Sequence, residues 1–132
     1  MSKLFIDSNV VLYLLSSNTA KADAAELALQ AGGFVSVQVL NEVTSVCTRK
    51  LKMPWHEVDE VLRAVKAACV VKPLTIDTHE KAVEIAKRFH LSFYDANIVA
   101  SALACGTSTL LSEDMQTGLL IDGLQIQNPF TS

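Results

Sequence analysis

Short, almost wholly apolar runs alternate with longer helical stretches along this chain. Lys3-Leu4-Phe5-Ile6-Asp7 ends on a polar residue, the pattern of a strand buried on both faces of a parallel sheet. A helix over Asn9–Leu15 follows, then a Ser16-Ser17-Asn18 loop. A helix over Ala20–Ala31 comes next, capped by Thr19 and stopped at Gly32-Gly33. Phe34-Val35-Ser36 predicts a second strand, Ser36 caps a helix to about Lys50, and Pro54 is placed as the first residue of another through about Ala68. Val70-Val71-Lys72-Pro73 is a weaker strand candidate. Asp77-Thr78-His79-Glu80 has the form of a capping box for a helix to about His90, and Ser92 to Asp95 offers a similar cap for one ending at Gly106. Thr109-Leu110-Leu111-Ser112 and Leu124-Gln125-Ile126 supply the last strands. Strands alternating with helices imply right-handed crossovers and a mostly parallel sheet covered on both sides.

Composition narrows the class without naming a chemistry. The 132 residues suit one domain, 1–132, and half of them are apolar against 19% charged, which disfavours disorder. No window reaches the roughly 18 uninterrupted apolar residues of a membrane span. Asp7 and Asn9 break the only early apolar segment, unlike a signal peptide, so a cytoplasmic protein is expected. Cys47, Cys69 and Cys105 are odd in number and widely spaced, which suits small buried side chains better than a disulfide frame or a zinc site. Eleven basic residues against 14 acidic ones give a net charge of -3, which argues against holding nucleic acid by bulk positive charge.

The positions of the acids change that picture. In a parallel α/β sheet, ligands bind beyond the carboxyl ends of the strands. Asp7 ends the first strand, and Asp114 stands two residues after Ser112 at the same point of another. Asp95 shares a helix face with Ile98, Val99 and Ala102, a face that must point at the sheet. Glu42 borders an apolar stripe formed with Val39, Val43, Val46 and Cys47. Each acid alone has an ordinary reading as a helix cap, a turn residue or a surface acid. Together they place four carboxylates near one edge of the sheet with no lysine or arginine adjoining Asp7, Asp95 or Asp114 in sequence. Clustered carboxylates require protonation or a cation. An all-oxygen set selects Mg²⁺ or Mn²⁺, one ion or two, which can lower the pKa of a water and stabilise charge on a phosphodiester.

Four segments resemble, in order, the motifs of the PIN-domain nucleases, and in particular the VapC-type toxin ribonucleases of type II toxin–antitoxin systems. They are Phe5-Ile6-Asp7-Ser8-Asn9-Val10, Leu40-Asn41-Glu42-Val43, Phe93-Tyr94-Asp95-Ala96-Asn97-Ile98-Val99-Ala100 and Leu111-Ser112-Glu113-Asp114-Met115-Gln116. The closing Gly123-Leu124-Gln125-Ile126-Gln127-Asn128-Pro129-Phe130 is similar to the usual ending of these toxins. The resemblance implies a three-layer α/β/α sandwich and Mg²⁺- or Mn²⁺-dependent endoribonuclease activity. It assigns Asp7, Glu42, Asp95 and Asp114 as the catalytic, metal-holding acids, with Ser112 and Asn9 supporting them. Glu113 is an alternative ligand if the turn is rotated; Asp114 is favoured by the Ser-x-Asp pattern, leaving Glu113 toward solvent. The resemblance also implies a cognate antitoxin and a homodimer.

Other candidates have more ordinary readings. Arg49, Lys50 and Lys52 cluster at the end of the helix carrying Glu42, where cations complement a helix C-terminus. Their functional alternative is an RNA phosphate-contact patch. Lys87 and Arg88 are a weaker pair of that kind. His56, His79 and His90 share no ligand spacing and read as surface residues. Trp55 and the apolar positions of the paired helices over Ala20–Ala31 and Val37–Ala68 are expected in the core, a binding groove being their alternative reading. The rival to an enzyme is a non-catalytic interaction module that keeps the fold.

Overall fold

The computed structural model describes residues 4–130; Lys3, expected in the first strand, lies outside them. The chain forms β1 (Leu4–Ile6), α1 (Ser8–Leu12), a 3₁₀ turn (Tyr13–Leu15), α2 (Thr19–Gln30), β2 (Gly33–Ser36), α3 (Val37–Arg49) and α4 (Trp55–Ala68). Then come β3 (Cys69–Lys72), α5 (Ile76–Phe89), α6 (Phe93–Ala104), β4 (Thr109–Leu111), β5 (Leu120–Ile121) and β6 (Leu124–Gln127). The strands make one sheet in the order β3-β2-β1-β4-β6-β5, parallel except for the β5–β6 hairpin.

Both directions of travel along the sheet start from β1, and this sets the layers. The chain moves outward through β2 to β3 by way of α1–α4, then crosses back over α5 and α6 to β4 on the far side of β1. Right-handed crossovers in opposite directions put their helices on opposite faces. The packing agrees, with α1, α2, α3 and α4 touching one another and α5 lying along α6. The result is the expected three-layer α/β/α sandwich. Phe5, Ile6, Val35, Leu110 and Ile126 are fully buried between the layers. Every residue of α6 from Ala96 to Ala102 is buried as well, as a helix must be when it packs on both the sheet and a neighbouring helix.

Several local expectations are corrected. Asn18, not Thr19, caps α2, its side chain accepting the Lys21 N–H at 3.2 Å. Thr75 caps α5 by accepting the Thr78 N–H at 3.1 Å, two residues ahead of the expected capping box. Pro54 is the cap of α4 instead of its first helical residue. The first helix tightens into the 3₁₀ turn after Leu12. Strand β5, only two residues long, carries too little pattern to be seen in advance. Trp55 is 65% exposed and stands outside the core.

The two glycines expected to stop α2 divide the work. Gly32 takes the left-handed backbone (φ 76°) that ends the helix. Gly33 is a strand residue paired with Leu4, and a Cβ there would lie 2.5 Å from the Leu4 carbonyl oxygen. Gly33→Ala must therefore push β2 away from β1. Overpacking of this kind typically costs about 1–3 kcal/mol, and a lowered urea midpoint with an unchanged slope is the expected outcome.

Candidate active site

Asp7 follows the last residue of β1 and caps α1, one carboxylate oxygen (Oδ1) accepting the Ser8 N–H at 2.7 Å. Its own N–H bonds the Leu111 carbonyl at 3.0 Å, so pairing of β1 with β4 fixes its position. The other oxygen, Oδ2, accepts the Ser112 hydroxyl at 2.9 Å and the Asn9 side-chain amide at 3.2 Å. Asn9 works in both directions, because its Oδ1 accepts the Glu113 N–H at 3.0 Å. The buried carboxyl is thus enclosed by neutral donors. Loss of water raises its pKa from 3.8 to about 6; the hydrogen bonds from Ser112 and Ser8 oppose the rise, and the charges of Glu42 and Asp95 add to it.

The other acids approach from three different elements. Glu42 projects from the middle of α3, where the Ser8 hydroxyl donates to Oε2 and the Gln38 amide, one turn earlier, donates to Oε1 at 3.1 Å. Asp95 lies in the first turn of α6, whose cap is the Ser92 hydroxyl accepting the Asp95 N–H at 3.2 Å. Burial raises the Asp95 pKa, opposed by the Ser92 hydrogen bond and reinforced by the charges of Asp114 and Glu42. Asp114 follows the end of β4 and lines, with Glu42, an open cleft of about 760 Å³. Ser8, Asn9, Asn41, Ser45, Lys50 and Tyr94 line the same cleft. All four expected acids therefore share one electrostatic neighbourhood, with Asp95 sensing the charge of Glu42 and Asp114 and felt in turn by Asp7.

Among the described residues no ion pair joins a lysine or arginine to any of these four acids. Nor do three acid, histidine or cysteine side chains there stand close enough to enclose an ion. The carboxylates keep apart, as like charges do, and hydrogen bonds from Ser8, Asn9, Gln38 and Ser112 hold two of them in place. The chemistry of this donor set fits a hard divalent cation: it is oxygen-only, anionic, concentrated at one end of the sheet and without a basic partner.

Glu113 departs from expectation. Its carboxylate does not face solvent freely but takes the Lys21 ammonium at 2.8 Å and the Tyr13 hydroxyl at 2.6 Å, and these hold its pKa below the ordinary value. Of the basic cluster, Lys50 reaches the cleft, whereas exposed Arg49 and Lys52 do not line it. Arg88 is committed elsewhere, bonding Asp122 in the β5–β6 turn at 2.7 Å. The three histidines are exposed, as read. Sequence reasoning missed Ser8, Gln38, Tyr13, Lys21 and Tyr94. Gln38 was within reach, since it stands four residues before Glu42 on one helix face; Lys21 and Tyr13 reach Glu113 across about a hundred positions, which local pattern does not encode.

Asp7 and Asp114 follow two adjacent parallel strands, with Glu42 and Asp95 on two helices beside them, and the chain belongs to the PIN domain family, whose model matches residues 4–116. Solved structures of the same fold come from several bacteria. A chain of a toxin–antitoxin complex from Klebsiella pneumoniae aligns at 23% identity and TM-score 0.72 over 97% of this chain and 98% of that one. Mycobacterium tuberculosis VapC20, a sarcin-ricin loop cleaving toxin, aligns at 20% identity and TM-score 0.62 over 81% and 86%. A chain of FitAcB from Neisseria gonorrhoeae aligns at 18% identity and TM-score 0.69 over 96% and 98%. No curated protein matches the chain significantly by sequence.

The raised Asp7 pKa makes a prediction about the metal-free protein. A carboxyl whose folded pKa exceeds its unfolded one disfavours the native state when ionised. The rise from 3.8 to about 6 corresponds to about 3 kcal/mol, felt in full above pH 6 and relieved as pH falls through 6 toward 4. With chelator present, the melting temperature should therefore climb between pH 7.5 and 5.5, and Asp7→Asn should flatten most of that climb, the remainder coming from Asp95, whose pKa is also raised. A variant with the wild-type pH slope contradicts the assignment.

Proposed function

We propose that the protein is a divalent-metal-dependent endoribonuclease, the toxin of a toxin–antitoxin pair. The observation that carries this reading is the gathering of Asp7, Glu42, Asp95 and Asp114 at the carboxyl edge of a PIN sheet, with no lysine or arginine among the described residues paired to any of them. These acids would hold one or two Mg²⁺ or Mn²⁺ ions. A bound ion supplies Lewis acidity, lowering the pKa of a water and stabilising charge on the phosphodiester.

The chain's own residues do the rest. Asn9 and Ser112 aim Oδ2 of Asp7, while Ser8 ties Asp7 to Glu42 so that the two acids keep a fixed relation. Lys50 contributes the one cation lining the cleft among the described residues, placed to contact a phosphate of the strand. Arg49 and Lys52 extend that positive charge along the exposed end of α3. Tyr94, 65% exposed at the cleft, presents an aromatic face of the kind that stacks unpaired bases, which favours a single-stranded segment as substrate.

An apolar hollow lined by Leu12, Leu15, Val46 and Leu51 adjoins the cleft, and Trp55 stands exposed on neighbouring α4. That surface is suited to an antitoxin that would block the site. Toxin–antitoxin complexes among the similar structures support this partner; pairing of two copies and a cytoplasmic setting belong to the same reading.

Asp7→Asn and Asp95→Asn should each abolish Mn²⁺-dependent cleavage of RNA while the circular dichroism spectrum stays native. Full activity in both purified variants sinks the assignment. Lys50→Ala should weaken RNA binding and lower the slope of log affinity against log salt by about 1; an unchanged slope removes Lys50 from the RNA path.

A further inference from the structure

The closing Asn128-Pro129-Phe130 segment has no part in the cleft, yet it is tied to it through a chain of contacts. The Asn128 N–H donates to the Thr117 hydroxyl at 2.7 Å, and the Asn128 side chain accepts the Phe130 N–H at 2.8 Å. This fold of the tail sets the Phe130 ring edge-on to Tyr13, with centroids 4.6 Å apart. Lys21 reaches over both rings, 4.6 Å from the Tyr13 centroid and 5.6 Å from that of Phe130, and its ammonium also lies 3.2 Å from the Tyr13 hydroxyl oxygen. Tyr13 and Lys21 then take one carboxylate oxygen each of Glu113. With its main-chain N–H held by Asn9, Glu113 is fixed at both ends. The next residue is Asp114, at the wall of the cleft.

We propose that Tyr13, Lys21 and Phe130 form a positioning clamp that, by holding Glu113, aims Asp114 into the cleft and thereby sets the affinity of the acidic site for a divalent cation. The inference rests on the reading of the four acids as a cation site. None of the three clamp residues lines the cleft, so they are positioning residues. A partly exposed ion pair adds little to stability, so stability alone does not account for Asn9, Tyr13 and Lys21 all converging on one glutamate. Holding Glu113 away also keeps a fifth carboxylate from competing for the ion. Partners that orient a metal ligand characteristically change metal affinity about 10–100-fold when removed.

Calorimetric titration of Mn²⁺ into the whole protein tests the clamp. Lys21→Met and Tyr13→Phe should each weaken the dissociation constant about 10-fold or more, and Phe130→Ala should shift it in the same direction. Lys21→Arg, which keeps the charge, should recover most of the wild-type value, and melting temperatures measured in chelator should stay close to wild type for Tyr13→Phe and Lys21→Met. Wild-type affinity in both Tyr13→Phe and Lys21→Met overturns the clamp while leaving the cation site standing, and so does a lowered melting temperature with unchanged affinity. Absence of Mn²⁺ binding by the wild-type protein overturns the cation site and the clamp with it.

Discussion

Burying the Asp7 carboxylate at the end of the central strand removes its water, and the surrounding chain has to supply replacements. It does so with neutral donors only: the Ser8 amide, the Asn9 side chain and the Ser112 hydroxyl. A lysine in the same place would have neutralised the acid and ended its usefulness. Hydrogen bonds without a counter-charge keep the group oriented and leave its affinity for positive charge unspent. The other site residues are arranged around that requirement. Ser8 reaches outward to Glu42, Asn9 reaches sideways to the loop of Asp114, and Ser112 stands where β4 ends beside β1.

The sheet order is what makes this arrangement possible. With β1 in the middle and the chain progressing outward in both directions, loops following adjacent strands diverge and leave a crevice at the carboxyl edge. Helices α1, α3 and α6 all begin at that edge, one after each of two strands and one after the crossover. Asp7 caps α1, Asp95 lies in the first turn of α6 and Glu42 one turn further into α3, so the acids face the same crevice while the apolar residues of these elements form the core.

Much of this was legible because it is local. Each apolar strand run, the Ser36 cap of α3, and the acids Asp7 and Asp114 placed just past strand ends follow from the spacing of residues within a few positions of one another. Asp95 was recognisable by the buried Ile98, Val99 and Ala102 that share its helix face. What escaped notice depends on distance or on too short a signal. Strand β5 is two residues long, and Asn18 and Thr75 won their caps over the neighbouring Thr19 and Asp77 by geometry that composition does not distinguish. Trp55 reads as core by its bulk and apolar character, yet it is the first residue of α4 and stands 65% exposed. Glu113 was the clearest failure: its neighbours in sequence say nothing of Lys21 and Tyr13, which meet it only after the sheet has formed.

The Ser112–Asp7 hydrogen bond spans 105 positions, and this has a bearing on when the cleft comes into being. Contacts of such separation must first offset a large loop-closure entropy, and during synthesis residue 112 emerges only after nearly all of the chain before it. Through most of its synthesis the polypeptide carries Asp7 and Glu42 with neither Ser112 nor Asp114 to complete the cleft. The cleft, with Ser112 behind Asp7 and Asp114 at its wall, is therefore complete only once β4 has joined β1.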